Sequence, residues 1–261
     1  MTHGSLFSGI GGFDLAAEWM GWKNMFHCEK NEFCQKVLKY HWPASELFTD
    51  IITSDFTKYA NKIDVLSGGF PCQPFSVSGE QQGSGDVRYL YPEMLRAIRE
   101  VKPGWVVAEN VRGLNSPKFS HIYEEICSSL ENEGYETLPP LLIPASAIGA
   151  DHERYRLWFV AHSNSQRYER VKQFGSEESG QMEVAVKALA THKIGVRTQN
   201  ELPKPFVIGR SNGIPVRLDG ITFSKWREGS ISGFGNAVVP QIPYQIFKAI
   251  EQYENTIPTK S

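Results

Sequence analysis

The chain has 261 residues, 41% of them hydrophobic. That is enough for one substantial core and a small appended region, and too short for two full-sized domains. A net charge of −2 excludes a uniformly basic surface, and no apolar run reaches the roughly 18 residues that a membrane-spanning helix needs.

The opening residues Met1-Thr2-His3-Gly4 lack the basic-then-apolar layout of a secretory leader, so a cytoplasmic location is expected. The four cysteines, Cys28, Cys34, Cys72 and Cys127, form no C-x-x-C pair and have no histidine pair at zinc spacing, so no metal site is expected. The charge is unevenly spread. Residues 151–235 hold 13 Lys and Arg against 9 Asp and Glu, whereas the remainder holds 14 against 20. A basic face in the later part suits contact with phosphate, although such a bias more often marks a solvated surface.

In chain order, Leu6-Phe7 reads as a short strand ending in Ser8-Gly9-Ile10-Gly11-Gly12, followed by helical spacing over 13–20. A strand over 24–28 ends at Glu29, and a helix follows over 31–40. Residues 63–67 form a buried strand before a Gly-Gly-Phe-Pro loop; 90–101 are amphipathic, and 105–108 are again a buried strand. A helix over 119–133 precedes strands near 137–143 and 157–161. This alternation predicts a doubly wound α/β sheet, mostly parallel, with an antiparallel edge where little helix separates the last strands. Residues 163–205 are polar with poor periodicity, apart from a helical stretch around 182–190. Order is expected to return at Gly233-Phe234-Gly235-Asn236, before a terminal helix over 237–253 with Pro240 and Pro243 in its first turn. The expected organisation is 1–162 as a catalytic and cofactor-binding domain, 163–230 as a small recognition region, and 231–261 as a helix packing back on the first.

Four segments carry chemistry. Phe7-Ser8-Gly9-Ile10-Gly11-Gly12 between strand and helix permits close backbone approach to a ligand, though a plain tight turn explains it equally well. Gly68-Gly69-Phe70-Pro71-Cys72-Gln73-Pro74-Phe75-Ser76 leaves a buried strand at the carboxyl edge of the sheet, where prolines at −1 and +2 aim the Cys72 thiol. Ala108-Glu109-Asn110-Val111 delivers a carboxyl group to the same edge, as a proton donor or, without Cys72, as a surface acid or helix cap. Arg154 and Arg156 alternate on one face of a starting strand and suit a carbonyl, a phosphate or a carboxylate; a structural salt bridge is the plainer alternative.

Together these residues resemble the cytosine-C5 DNA methyltransferase family. The resemblance runs through Phe7–Gly12, Glu29, Asp50-Ile51, Gly69–Ser76, Arg88–Leu90, Glu109-Asn110-Val111, Arg154–Arg156 and Gly235-Asn236-Ala237-Val238-Val239-Pro240. It implies a Rossmann-like methyltransferase fold, S-adenosylmethionine as donor without a metal, and duplex DNA as substrate. It implies Cys72 as nucleophile, Glu109 as the group at cytosine N3, and Arg154 and Arg156 as base-positioning cations. Cofactor contacts are implied at Phe7, Gly9, Gly11, Glu29, Asp50, Ile51, Pro71, Leu90, Asn236 and Val238. Ser76, Arg88 and, in the recognition region, Arg167, Arg170 and Arg210 are candidate DNA contacts, phosphate and base contacts being inseparable in the sequence. Gln81 or Gln82 is a candidate to fill the gap left by a flipped base, on a loop that serves equally as a lid over the cofactor. A monomer is expected, with a cognate restriction endonuclease as a possible partner. Three other readings are a tRNA methyltransferase of the same superfamily, a non-catalytic DNA-binding relative and a small-molecule methyltransferase. The Cys-Phe-Thr signature of the first is absent, all the chemical residues of the family are present against the second, and the third has no need of Pro71-Cys72-Gln73.

Overall fold

The computed structural model describes residues 1–71, 89–115, 119–148, 154–164, 218 and 221–256. Eight strands form one sheet: β1 (Thr2–Leu6), β2 (Lys23–Cys28), β3 (Glu46–Phe48), β4 (Val65–Gly69), β5 (Trp105–Val111), β6 (Tyr135–Thr137), β7 (Leu141–Pro144) and β8 (Tyr155–Ser163). The order is β3-β2-β1-β4-β5-β8-β6, with β7 also paired to β8. Strands β1 to β5 are mutually parallel, and β8 runs antiparallel to β5, β6 and β7. The expected parallel sheet with an antiparallel edge is therefore present. The chain leaves β1 toward β2 on one side and reaches β4 on the other. That reversal of direction opens a crevice at the carboxyl ends of β1 and β4, where ligands bind in this architecture.

Six helices cover the sheet among the described residues: α1 (Gly12–Trp19), α2 (Glu32–His41), α3 (Tyr91–Val101), α4 (Ser120–Asn132), α5 (Phe223–Asn236) and α6 (Gln241–Thr256). Local signals set their ends. Asn31 caps α2 by accepting from the Phe33 and Cys34 amides, and Pro92 sits in the first turn of α3 where its missing N–H costs nothing. The strands alternate between two cores as their pleat dictates. On β5, Val106 and Ala108 pack with Leu66, Met94, Ile98 and Ile126 beneath α3 and α4. Trp105 and Val107 pack on the other face with Phe13, Ala16 and Ala17 of α1 and Ile246, Phe247 and Ile250 of α6. None of these helices is long and apolar enough to cross a membrane.

Three details depart from the sequence expectation. Strand β3 is absent from it, being only three residues long with no buried residue to create a pattern. Helix α5 is also absent from it and spans the boundary drawn at 230/231. Its Gly229, Ser230, Ser232, Gly233 and Gly235 hide the helical period. The terminal helix begins at Gln241 rather than 237, because Pro240 disfavours helical geometry at Val239 and the chain is already extended at Ala237.

Helix α6 closes the second core. Phe247 is fully buried and stacks on Trp22 with ring centroids 4.8 Å apart and planes at 27°. Phe247→Ala is expected to remove about 3–5 kcal/mol of stability. Urea unfolding of the variant would show it, and an unchanged midpoint would contradict this packing.

Candidate active site

The turn after β1 is shaped by backbone geometry. Phe7, Gly9 and Gly11 have φ of 52°, 56° and 90°, a left-handed region natural for glycine and strained for Phe7. A Cβ on Gly11 would sit 2.4 Å from the Trp42 ring, and one on Gly12 2.7 Å from the Val238 carbonyl oxygen. The turn can therefore lie against α2 on one side and the segment entering α6 on the other. At Gly9 a Cβ would meet nothing within 4 Å among the described residues. Glu29, at the end of β2, accepts from the Gly9 amide through Oε2 and from the Asn31 amide through Oε1, both at 2.7 Å. Each carboxylate oxygen has two lone pairs, so both can still accept from a ligand hydroxyl. Asp50 pairs with Lys30 at 3.0 Å, and that hydrogen bond holds its carboxyl below the usual range.

Between these groups lies a cavity of about 320 Å³, lined by Phe7, Gly9, Glu29, Asp50, Ile51, Pro71, Leu90 and Asn236 among others. Eight of the ten expected cofactor residues thus share one pocket. Gly11 and Val238 are not part of its lining; their role here is the close packing behind the turn. Cys28, Cys34, Gly229, Ser232 and Gly233 also line it and were not singled out from the sequence. The two cysteines read there as small core residues, and α5 went unseen. Burial pushes both thiols up to about 12, which leaves them protonated and unreactive at neutral pH. The pocket combines apolar walls, a strand-end acid and exposed backbone. It fits a nucleoside-bearing ligand whose hydroxyls would donate to Glu29, with apolar contacts from Phe7, Ile51 and Leu90.

On the next two strands, Gly69 of β4 is in register with Glu109 of β5. A Cβ on Gly69 would lie 3.1 Å from Glu109 Oε2, so the glycine leaves room for that oxygen. The Glu109 side chain is 12% exposed, and Arg156 Nε bonds its Oε1 at 2.7 Å. Burial raises the Glu109 carboxyl above its ordinary value, against the opposing charges of Arg156 and then Arg154. Oε1 is thus held by Arg156, while Oε2 lies on the Gly69 side. Arg154 donates to the Gly235 carbonyl. It thereby joins the start of β8 to the residue before Asn236, and burial together with Arg156 lowers its pKa. Arg156 thus contacts Glu109 directly, whereas Arg154 is held at Gly235 and acts on Glu109 only through its charge.

Asn110 follows Glu109 on β5 and has a structural task that its motif does not reveal. It is 2% exposed and donates through Nδ2 to the Phe70 carbonyl at 3.1 Å. Its buried amide fixes the chain two residues before Cys72, a task visible only once β4 and β5 are neighbours. Cys72, Ser76, Gln81, Gln82, Arg88, Arg167, Arg170 and Arg210 lie outside the described residues.

A doubly wound sheet with a glycine turn, a strand-end acid and a buried acid–arginine pair at the adjoining edge defines an α/β protein with a pocket at the carboxyl ends of its parallel strands. The family model for C-5 cytosine-specific DNA methylases matches residues 1–212. The chain therefore belongs to that family. It is 39% identical over 157 residues to the Type II methyltransferase M.PspPI of Psychrobacter sp. (strain TA137), covering 59% of this chain and 38% of that one. Against the Type II methyltransferase M.Eco47II of Escherichia coli it is 37% identical over 161 residues, covering 61% and 39%. The chain thus spans less than two fifths of the length of these relatives. The fold resembles the solved methyltransferase EhMeth of Entamoeba histolytica, with a TM-score of 0.63 at 15% identity, over 97% of this chain and 98% of that one.

Proposed function

We propose that the protein is a DNA (cytosine-5-)-methyltransferase that uses S-adenosylmethionine, attacks C6 of a flipped cytosine with Cys72 and methylates C5. The observation that carries this is the buried Glu109–Arg156 pair beside Gly69, the strand end that leads directly into Pro71 and Cys72. Family membership and the names of the relatives support the same reading.

Cytosine C5 is a poor nucleophile. Bonding of the Cys72 sulfur to C6 pushes the ring electrons toward C5 and N3, dividing one hard step into two easier ones. Glu109, whose carboxyl burial raises above its ordinary value, donates at N3 through Oε2 and stabilises the charge that develops there. Arg156 holds Oε1 and so orients the carboxyl group. The bound cofactor supplies an electrophilic methyl group for C5. Loss of the C5 proton then lets the C6–S bond break and returns Cys72. The pocket residues Phe7, Glu29, Asp50, Ile51, Leu90 and Asn236 would hold the cofactor, with Glu29 on its hydroxyls and Pro71, the residue before Cys72 in sequence, on its wall.

The target base cannot be reached while stacked, so flipping is required at a cost of a few kcal/mol. Gln81 or Gln82 is proposed to fill the gap. Residues 163–230 are proposed as the recognition region, with Ser76, Arg88, Arg167, Arg170 and Arg210 on DNA. The protein is proposed to act as a cytoplasmic monomer on duplex DNA, with or without a restriction partner. Expression in a host devoid of DNA methylation, followed by genome-wide mapping of 5-methylcytosine, tests the reading. Modification at one recurrent sequence is expected, and an unmodified genome from an expressed, folded protein would refute it.

A further inference from the structure

Beneath the glycine turn lies a polar network that neither the pocket lining nor the apolar cores explain. His3, Ser5, Ser8, Asp14, His27 and Ser67 are all buried, and they come from β1, the turn, α1, β2 and β4. Asp14 Oδ1 accepts from Ser5 Oγ at 2.8 Å and lies 2.7 Å from His27 Nδ1. Ser5 Oγ is 2.6 Å from Ser8 Oγ, and the Cys28 amide donates to Ser8 Oγ at 3.2 Å. On the far side Asn24 donates to the Asp14 carbonyl, and its Oδ1 is 2.6 Å from His3 Nδ1. His3 Nε2 is in turn 2.8 Å from Ser67 Oγ on β4.

The proton inventory gives this chain a direction. Burial alone would raise the Asp14 carboxyl, but His27, His3 and Ser5 together hold it below its ordinary value, so it is an acceptor only. Ser5 has one proton and gives it to Asp14. Ser8 Oγ also lies within donating distance of the Ser5 and Cys28 carbonyls, at 3.2 and 3.3 Å, but the 2.6 Å contact with Ser5 Oγ is the shortest and takes its proton, which leaves the Ser8 lone pairs for the Cys28 amide. The order is Cys28 N–H to Ser8, Ser8 to Ser5, Ser5 to Asp14. The Ser8 amide also donates to the Cys28 carbonyl at 3.1 Å, so Ser8 is tied to the end of β2 by backbone and side chain alike. The next residue, Gly9, is the one that meets Glu29.

Packing of α1 does not require this network, since Phe13, Ala16 and Ala17 already bury that helix. The network also carries a cost, because Asp14 Oδ2 and His27 Nε2 are buried with no hydrogen-bond partner among the described residues. We infer that Asp14 is a positioning residue for the cofactor turn: as terminal acceptor it orients the Ser5 and Ser8 hydroxyls and so fixes Gly9 and Glu29 at the pocket rim. This rests on reading the pocket as the S-adenosylmethionine site.

The test uses the full chain, with calorimetric titration of S-adenosylhomocysteine and steady-state methylation kinetics. Ser5→Ala cuts the relay in the middle and is expected to weaken binding about tenfold, the scale of one buried hydrogen bond. The KM for S-adenosylmethionine should rise by a similar factor, with kcat and the KM for DNA unchanged. Asp14→Asn keeps an acceptor oxygen and should stay within about threefold of wild type, as a conservative rescue. Ser8→Ala alone should also cost about tenfold, but little more when added to Ser5→Ala, since two cuts in one relay are not additive. Wild-type binding by Ser8→Ala, independent multiplication of the two losses, or a fall in kcat with KM unchanged would each overturn the inference. Should Ser5→Ala fail to fold, the Ser8→Ala titration decides alone. Should the wild-type protein bind neither ligand, the pocket reading itself falls, and this inference with it.

Discussion

Glu109→Gln is expected to lower kcat by about 100-fold or more, the usual scale of general acid catalysis, with little change in the KM for DNA. Glutamine has the same shape as glutamate, and its amide oxygen can still accept from Arg156 while its N–H₂ faces the base. What it lacks is a transferable proton. The pH profile adds a second signature. Because burial raises the Glu109 pKa, the donor form persists to higher pH than in an exposed glutamate, and it is lost as pH climbs through that raised value. The alkaline limb of kcat/KM should therefore belong to Glu109 and vanish in the glutamine variant. The acid limb, set by ionisation of the Cys72 thiol, should remain. Steady-state rates of tritiated methyl transfer across pH would check both points. A variant with wild-type kcat would remove Glu109 from the reaction.

The second large effect concerns Cys72. A serine hydroxyl is far less ionised than a thiol at neutral pH and is a weaker nucleophile toward C6. Cys72→Ser should thus reduce methylation on the order of 10³-fold or more, as removal of a nucleophile does elsewhere. Binding of the cofactor product should be retained, because the substitution changes a single side-chain atom and leaves Glu29, Asp50 and Pro71 of the pocket untouched. Loss of cofactor binding together with activity would indicate a folding defect; retained activity would remove the thiol from the chemistry.

Much of this site is legible in the sequence because the chemistry sits at strand ends. An apolar run followed by Glu29, by Gly69-Phe70-Pro71 or by Glu109-Asn110 names both a strand and the residue delivered to the sheet's edge, and in a parallel sheet all such edges coincide. Features that depend on proximity across the chain are not legible in this way. Asn110 and the Phe70 carbonyl are 40 residues apart, and Arg154 meets Gly235 across 81 residues. No local pattern encodes such partners. Helix α5 escaped notice for a different reason. Its glycines are poor helix formers but let it approach closely: a Cβ on Gly229 would lie 2.5 Å from the Phe33 ring, and one on Gly233 2.9 Å from Ile10. Here packing against α2 and the cofactor turn overrides propensity. The Asp14 network was likewise invisible, since a lone aspartate in the first turn of a helix reads as a favourable charge at its N-terminus.

The bond between sulfur and base can be observed directly. A duplex carrying the target sequence with 5-fluorocytosine at the modified position, incubated with the protein and S-adenosylmethionine, should give a complex that survives denaturation. Fluorine at C5 cannot leave as a proton does, so the C6–S bond cannot be released. Mass spectrometry of the digested complex should place the adduct on the peptide containing Cys72. Methylation of the ordinary target without any such trapped species, or an adduct on Cys28, Cys34 or Cys127 instead, would contradict nucleophilic attack by Cys72.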